Sequence, residues 1–237
     1  MTDPALAPTR PIDVVRSLLF YFVFYLGTIP YVLATVPCVV ISPEAFRIVV
    51  RAWSRFHRDC CRWILGIKVA VEGEFPEEGL IIAMRHESFF EAIDMGAQMH
   101  WPAPFPKAEL GDIPGWGWAL KRYGAVMVDR EGGAKSLRRM IAVSRERVAE
   151  GRPLVIFPEG TRVPVGKREP LRAGFAGTYK LLGLPVVPVA VDSGRLYHRR
   201  WKKPGVITYR VGERIEAGLP RPEVEARVTE AISPPRT

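Results

Sequence analysis

The chain has 237 residues, 48% of them hydrophobic, which suits one large domain or one domain with an appendage. Lys and Arg number 34 against 25 Asp and Glu, and the net charge of +9 indicates an anionic partner: nucleic acid, an anionic membrane or a phosphorylated ligand. Three cysteines, two of them adjacent, argue against a disulfide framework, and the sequence has no Cys-x-x-Cys pair or multi-His cluster to indicate zinc.

The first predicted element is an uncharged, largely aromatic and aliphatic run over residues 17–43. It exceeds the roughly 20 apolar residues that cross a bilayer and the roughly 7–15 of a signal peptide. Gly27, Pro30 and Pro37 interrupt it, so two short helices dipping into one leaflet compete with one kinked span. A buried core helix is the third possibility.

Residues 44–66 are predicted to form a basic amphipathic helix at the lipid headgroups, because apolar residues recur every three or four positions between arginines. The same helix could instead pack on the rest of the protein with its arginines solvated, and both readings can hold. Positive charge after the apolar run indicates that this flank faces the cytoplasm. The arginines are Arg47, Arg51, Arg55, Arg58 and Arg62.

From residue 67 onwards, short apolar runs alternate with helical patterns, which predicts an α/β fold: a mixed sheet flanked by helices. We therefore divide the chain into an N-terminal unit, 1–66, made of the hydrophobic membrane segment and the basic helix, and an α/β domain, 67–237. Strands are expected near 67–71, 80–84, 125–128, 154–157, 186–191 and 206–211, and helices near 137–148 and 171–182.

His86 directly follows a predicted strand, and Glu91 comes five residues later. Neighbours on a helix are three or four apart, so the two can meet only if His86 lies in a loop and Glu91 in the first turn of a helix. Ser88 to Glu91 fits a capping box, with Ser88 as the N-cap. The carboxylate could then orient the imidazole as a general base. A helix cap beside a structural histidine is the simpler alternative.

A second candidate segment, 157–162, reads Phe-Pro-Glu-Gly-Thr-Arg and ends a predicted strand. Its proline and glycine free backbone N–H groups, and Arg162 offers a fork that suits phosphate. Lys107 and Arg130 are further candidate phosphate ligands, since Arg130 follows a predicted strand end. Ordinary turns with solvated cations are the alternative.

These motifs together resemble the glycerolipid acyltransferase family typified by 1-acyl-glycerol-3-phosphate acyltransferase. His86 to Glu91 is similar to its His-x-x-x-x-Asp signature, with Glu in place of Asp. The segments 107–130, 157–162 and 186–190 are similar to its later blocks and follow in the same order. Four ordered blocks are far more specific than any single one.

The resemblance implies acyl transfer from acyl-CoA or acyl-ACP to the sn-2 hydroxyl of a lysophosphatidate, giving phosphatidic acid, without a metal or other cofactor. It implies His86 and Glu91 as the catalytic pair. The substrate-binding candidates are Lys107, Arg130, Glu159, Gly160, Thr161 and Arg162. The expected location is the bacterial inner membrane, with the catalytic domain on the cytoplasmic side in contact with membrane lipids.

Other functions compete with this one: transfer to another lysolipid, hydrolysis or transacylation with the same base, and membrane binding without catalysis. Nucleic-acid binding fits the charge but not the uncharged run. A basic stretch with interleaved aromatics could meet headgroups or the phosphates of the thioester carrier, or be a solvated loop. It contains Arg195, Arg199, Arg200, Lys202 and Lys203.

Overall fold

The fold is described from a computed structural model that covers residues 8–113, 115–129 and 132–233. Helices α1 to α7 span Pro11–Ile41, Pro43–Cys60, Phe90–Gln98, Trp116–Tyr123, Gly133–Ala149, Ala173–Leu182 and Arg221–Ile232. Strands β1 to β6 span Ile67–Glu72, Ile81–Met84, Ala103–Pro104, Leu154–Ile156, Val186–Val191 and Gly205–Val211. Short helical turns occupy Cys61–Leu65, Ala108–Asp112 and Ser193–Arg195.

The strands form one mixed sheet in the order β1-β6-β5-β2-β4-β3. The β5–β6 pair is antiparallel, and the other four pairs are parallel. The central strands β2 and β5 are buried along their whole length, as their unbroken apolar runs predicted. Because β2, β4 and β5 are parallel, their carboxyl ends lie at one edge of the sheet, where ligands usually bind in such sheets. The predicted α/β class is confirmed.

Helices cover both faces of the sheet because successive strand residues point to opposite sides. Ile82 and Met84 belong to a core shared with α1, α2 and α3, whereas Ile81 and Ala83 belong to a core shared with α6 and α7. Phe20 of α1 lies in the first of these cores. The N-terminal segment and the sheet therefore share one hydrophobic core.

Helix α1 runs unbroken from Pro11 to Ile41 with Pro30 and Pro37 inside it, so these residues form one long helix and not two short ones. Gly27 serves a different purpose: a Cβ there would collide with the Phe56 ring of α2. The missing side chain lets the two helices approach closely. They form a hairpin, and Ser42 is the N-cap of the second helix: its side chain accepts the Ala45 N–H at 3.0 Å.

One side of α1 packs on the protein and the other carries a row of exposed apolar side chains. Phe20 and Phe24 face the core, and the helix is long and apolar enough to cross a membrane from Pro11 to Cys38. Only 11% of its most apolar 18-residue stretch is buried, whereas a core helix would be mostly buried. We call the exposed set the apolar row: Val15, Leu18, Leu19, Phe22, Tyr25, Leu26, Ile29, Val32, Leu33 and Val36.

The helix packs on the rest of the protein, as one of the two readings predicted, but the arginines of α2 and of the turn after it are not all solvated. Arg58 forms two hydrogen bonds with Asp94 of α3, at 2.7 and 2.8 Å. Arg47 lies 3.7 Å over the Trp101 ring. Arg55 and Arg62 are exposed. The helix is therefore packed on the protein and keeps part of its basic surface.

The strand expected at 125–128 is wrong. The segment pairs irregularly with residues 104–108, for example through Val126 N to Pro104 O at 2.9 Å. Pro104 and Pro106 lack N–H groups and cannot return those bonds, so a regular ladder does not form. Strand β3 takes the edge position instead. Helices α4 and α7 were also not predicted.

The Arg58–Asp94 pair should be a structural lock between α2 and α3. Asp94 is fully buried, so Arg58→Met would leave an uncompensated carboxylate and lower the free energy of unfolding by about 3 kcal/mol. Urea denaturation in detergent measures this. Replacing both partners, as Arg58→Met with Asp94→Leu, should recover most of the loss, and the exposed pair of Arg227 with Glu223 is the matched control. An Arg58→Met protein as stable as the wild type would contradict this role.

Candidate active site

His86 lies in the loop after β2, at the carboxyl edge of the sheet. Its ring stacks on Phe157, which follows β4, with centroids 4.1 Å apart and planes 15° apart. Its carbonyl accepts the Val163 N–H at 2.7 Å. The side chain is 15% exposed, so the ring is held firmly while one edge stays accessible. The two segments singled out in the sequence therefore meet.

The predicted contact between His86 and Glu91 is present, with 2.9 Å between Nδ1 and Oε1. Oε1 also accepts the N–H groups of Glu87 and Ser88, each at 2.6 Å. Helix α3 begins at Phe90 with Phe89 as its N-cap, so the predicted N-cap at Ser88 is wrong by one residue. The Ser88 hydroxyl instead accepts the Phe90 N–H at 3.0 Å. The loop still brings the carboxylate back to the ring.

The second oxygen of Glu91 is held by two hydroxyl groups. Ser193 lies 2.6 Å away and Ser88 3.0 Å away, and the two serine oxygens are 2.7 Å apart. Burial alone would raise the pKa of Glu91, but the bonds from His86, Ser193 and the Ser88 backbone outweigh it and lower that pKa. Glu91 is therefore a carboxylate whose charge is held in place. Ser193 was missed because no local pattern links it to Glu91.

Asp94, the rival acid one turn further along α3, points elsewhere. Both of its oxygens bind Arg58, and Gln98 donates to it at 3.1 Å. The carboxylate thus serves the packing of α2 on α3. Glu91, rather than Asp94, is the acid at the histidine.

A buried ionic network holds the loop that carries His86 in place. The Arg85 guanidinium is 1% exposed and donates to Glu87 at 2.8 Å and to the carbonyl of Lys167 at 2.8 Å. It reaches Glu159 at 3.5 Å. Glu87 in turn accepts the Gly194 N–H at 3.0 Å. A Cβ on Gly194 would lie 2.9 Å from that carboxylate, so the close approach requires glycine.

Glu159 faces the interior rather than the site, which corrects its expected role as a direct substrate contact. Its side chain is 1% exposed, and burial raises its pKa to about 7 despite Arg85. Gly160 has a φ of +69° and its N–H closes a turn onto the Phe157 carbonyl at 2.9 Å. That N–H is therefore already used within the turn. The two residues shape the turn that presents Thr161 and Arg162, both exposed.

The structure locates two of the three predicted phosphate-binding cations. Arg162 lies 4.4 Å above the Phe89 ring, close in sequence to His86, so it borders the site. Lys107 is exposed at the carboxyl end of β3 and bridges to Val128. Arg130 lies outside the described residues. Within the described ranges, no group of three or more His, Cys, Asp or Glu is arranged to hold a metal ion.

The basic stretch after β5 is only partly solvated. Lys203 is buried and pairs with Asp13 of α1 at 2.8 Å, and Lys202 is buried with its ammonium group on the Tyr197 carbonyl at 2.9 Å. Burial, followed by the nearby charge of Arg162, lowers the pKa of His198. A basic cavity here holds about 320 Å³ and is lined by Phe89, Tyr197, His198, Arg199, Arg200 and Lys202.

Known proteins with similar sequences are lipid acyltransferases. The lyso-ornithine lipid O-acyltransferase of Pseudomonas aeruginosa is 29% identical over 133 residues, 55% of this chain and 50% of that protein. The 1-acyl-sn-glycerol-3-phosphate acyltransferase of the same organism is 29% identical over 215 residues, 87% of this chain and 82% of that protein. Its Helicobacter pylori counterpart is 30% identical over 153 residues, 62% and 63% of the two chains.

The fold also has a counterpart among solved structures. The 1-acyl-sn-glycerophosphate acyltransferase PlsC from Thermotoga maritima superposes with a TM-score of 0.71 over 93% of each chain, at 21% identity. A family model described as Acyltransferase matches residues 66–192, a range that contains His86, Glu91 and the 157–162 turn. The chain therefore belongs to the acyltransferase family.

Proposed function

We propose that this protein transfers a fatty acyl group from an acyl thioester to the sn-2 hydroxyl of 1-acyl-glycerol-3-phosphate, giving phosphatidic acid. The observation that carries the proposal is the buried Glu91 carboxylate on Nδ1 of His86, beside the turn that ends in Arg162. The relatives named for this reaction support the choice of acceptor.

The chemistry follows from which nitrogen of His86 is occupied. The Nδ1–H group of His86 donates a hydrogen bond to Glu91, so Nε2 carries the lone pair that can take the proton of the acceptor hydroxyl. The hydroxyl oxygen then attacks the thioester carbonyl, a C–O bond forms, and the C–S bond breaks. The leaving thiolate recovers the proton from His86. Glu91 stabilises the imidazolium ion between the two transfers.

Charge at the edges of the site suits two anionic substrates. Arg162, with Lys107 and Arg130 as further candidates, would hold the acceptor phosphate, since arginine binds phosphate through two parallel hydrogen bonds. Thr161 is exposed beside Arg162 and could donate to the same group. Acyl-CoA or acyl-ACP would be the donor, and the reaction needs no metal or other cofactor.

Membrane contact would come through the apolar row of α1, because a continuous exposed apolar surface of this kind marks a lipid or protein contact. Arg55 of α2 and Arg62 of the turn that follows it are exposed and would add attraction to anionic lipids. We propose a bacterial inner-membrane protein whose catalytic domain lies on the cytoplasmic side. The site then meets a lysolipid at the bilayer surface.

The opposing function is lysophospholipid hydrolysis or transacylation through an acyl-enzyme. The serine beside His86 that could form one is Ser88, which is fully buried with its hydroxyl on Glu91 and Ser193. Cys60 and Cys61 are also buried. This geometry favours direct transfer, and a trapped acyl adduct on the protein would favour the alternative.

The acceptor assay tests the proposal. Purified protein in detergent is given acyl-CoA or acyl-ACP with lysophosphatidate, lyso-ornithine lipid or monoacylglycerol. We expect the highest kcat/KM with lysophosphatidate, and His86→Ala should lower kcat by roughly 10²–10⁴. His100→Ala, at an exposed histidine, is the matched control. Equal rates with monoacylglycerol, or a normal rate without the His86 ring, would contradict the proposal.

Substitution of the acid separates Glu91 from Asp94. Glu91→Asp should keep roughly a tenth or more of the wild-type kcat because the shorter carboxylate can still reach Nδ1, whereas Glu91→Ala should lower kcat by roughly 10²-fold or more. Asp94→Ala should lower stability more than kcat, since that carboxylate binds Arg58. The measurement is kcat alongside the thermal midpoint of each variant. A larger kcat loss for Asp94→Ala than for Glu91→Ala would show that the pairing is wrong.

Charge placed in the apolar row should release the protein from membranes. Phe22 and Leu33 are each 65% exposed, so Phe22→Glu with Leu33→Glu should leave the fold intact. We expect binding to anionic vesicles to weaken about 100-fold or more, because each side chain loses roughly 1.5–3 kcal/mol of burial. Vesicle sedimentation measures this, with the exposed Leu181→Glu on α6 as control. Unchanged sedimentation would exclude the row as the lipid contact.

A further inference from the structure

Ser193 contacts Glu91 from outside the β2–α3 segment. It opens the short helical turn after β5, is fully buried, and lies just beyond the range matched by the family model. Its hydroxyl is 2.6 Å from Oε2 of Glu91, whereas His86 binds the other oxygen, Oε1. The chain separates the two residues by 102 positions.

In either arrangement of the two hydroxyl groups, one of them donates a hydrogen bond to Oε2 of Glu91. Ser88 and Ser193 each own one hydroxyl proton, and their oxygens are 2.7 Å from each other and 3.0 and 2.6 Å from Oε2. Whether Ser88 donates to Ser193 or the reverse, the remaining proton points at Glu91. Both serines are fully buried, so this hydrogen bonding takes place away from bulk solvent.

We propose that Ser193 is a positioning residue for the acyl-transfer reaction: it holds the far oxygen of Glu91 so that the near oxygen stays on Nδ1 of His86. This role rests on the proposed function. Charge-assisted hydrogen bonds are about twice as strong as neutral ones, and a side chain fixed at both oxygens cannot rotate about its terminal torsion. His86 is thereby kept in the tautomer and orientation that leave Nε2 free to act.

The acid at this position is a glutamate, and its side chain is long enough to bind both His86 and Ser193. Its side chain spans from the ring of His86 to a hydroxyl on a different strand end. An aspartate is one methylene shorter, so it can keep His86 only by giving up Ser193. The contributions of residue 91 and residue 193 should therefore depend on each other.

The ionisation of Glu91 supplies a readout that ordinary packing would not change. The Ser193 bond is one of the interactions that lower the pKa of Glu91, so its loss raises that pKa. Protonation of Glu91 then begins at higher pH, and the 13C chemical shift of its side-chain carboxyl carbon reports that change directly. The other titratable groups that interact with Glu91 are His86, Glu87, Tyr197, His198 and Tyr209.

The test compares Ser193→Ala with wild type in lysophosphatidate acylation and in the pH titration of the Glu91 carboxyl carbon. We expect kcat to fall about tenfold with KM unchanged, and Glu91 to titrate at higher pH than in the wild type. Ser193→Cys, with a weaker donor of similar size, should lie between them and serves if the alanine variant is unstable. Ser144→Ala is the matched control, since that serine is equally buried and bonds within α5 at 2.8 Å.

A double-mutant cycle with Glu91→Asp completes the test. In the protein that already carries Glu91→Asp, the added Ser193→Ala change should alter kcat by less than about twofold, because the bond is already lost. A wild-type rate and a wild-type Glu91 titration for Ser193→Ala, or an equal loss of rate in both backgrounds, overturns the inference. Absence of acylation by the wild-type protein with every acceptor would instead overturn the proposed function, so the two failures are distinguishable.

Discussion

A fully buried carboxylate is stable only when donors surround it, and in this protein that requirement shapes the site. Glu91 receives its bonds from the ring of His86, from two backbone N–H groups and from the hydroxyls of Ser88 and Ser193. These groups come from the loop after β2 and from the turn after β5. They meet because the two strands are neighbours and parallel. The same set of donors that makes burial of the charge possible also fixes the imidazole beside it.

The loop that carries Ser193 is also the one fastened to the N-terminal helix. Within it, the Lys202 N–H donates to the Ser17 hydroxyl at 2.8 Å, and Lys203 pairs with the buried Asp13 at 2.8 Å. Helix α1 therefore packs on the folded protein with one side and carries the exposed apolar row on the other. These buried contacts join α1 to the loop that carries Ser193. If the apolar row lies in a bilayer, they therefore fix the distance between the active site and the membrane surface.

Contacts between residues close in the sequence could be predicted, whereas contacts between distant residues could not. The contact of His86 with Glu91 was predictable because capping chemistry operates within one turn. Ser193 was not, because its approach depends on how β5 pairs with β2, which no local pattern encodes. The inward orientation of Glu159 was missed for a similar reason: its partner, Arg85, follows a different strand. The mixed sheet was predictable from its apolar runs.

The most direct test of the account is the tautomer of His86, which can be read from nitrogen chemical shifts in protein labelled with 15N-histidine. With four histidines in the chain, His86→Gln assigns the signal. If Glu91 holds the ring through Nδ1, that nitrogen carries a proton and Nε2 does not at pH values where the protein is active. A proton on Nε2, or the averaged signal of a freely exchanging imidazole, would contradict it.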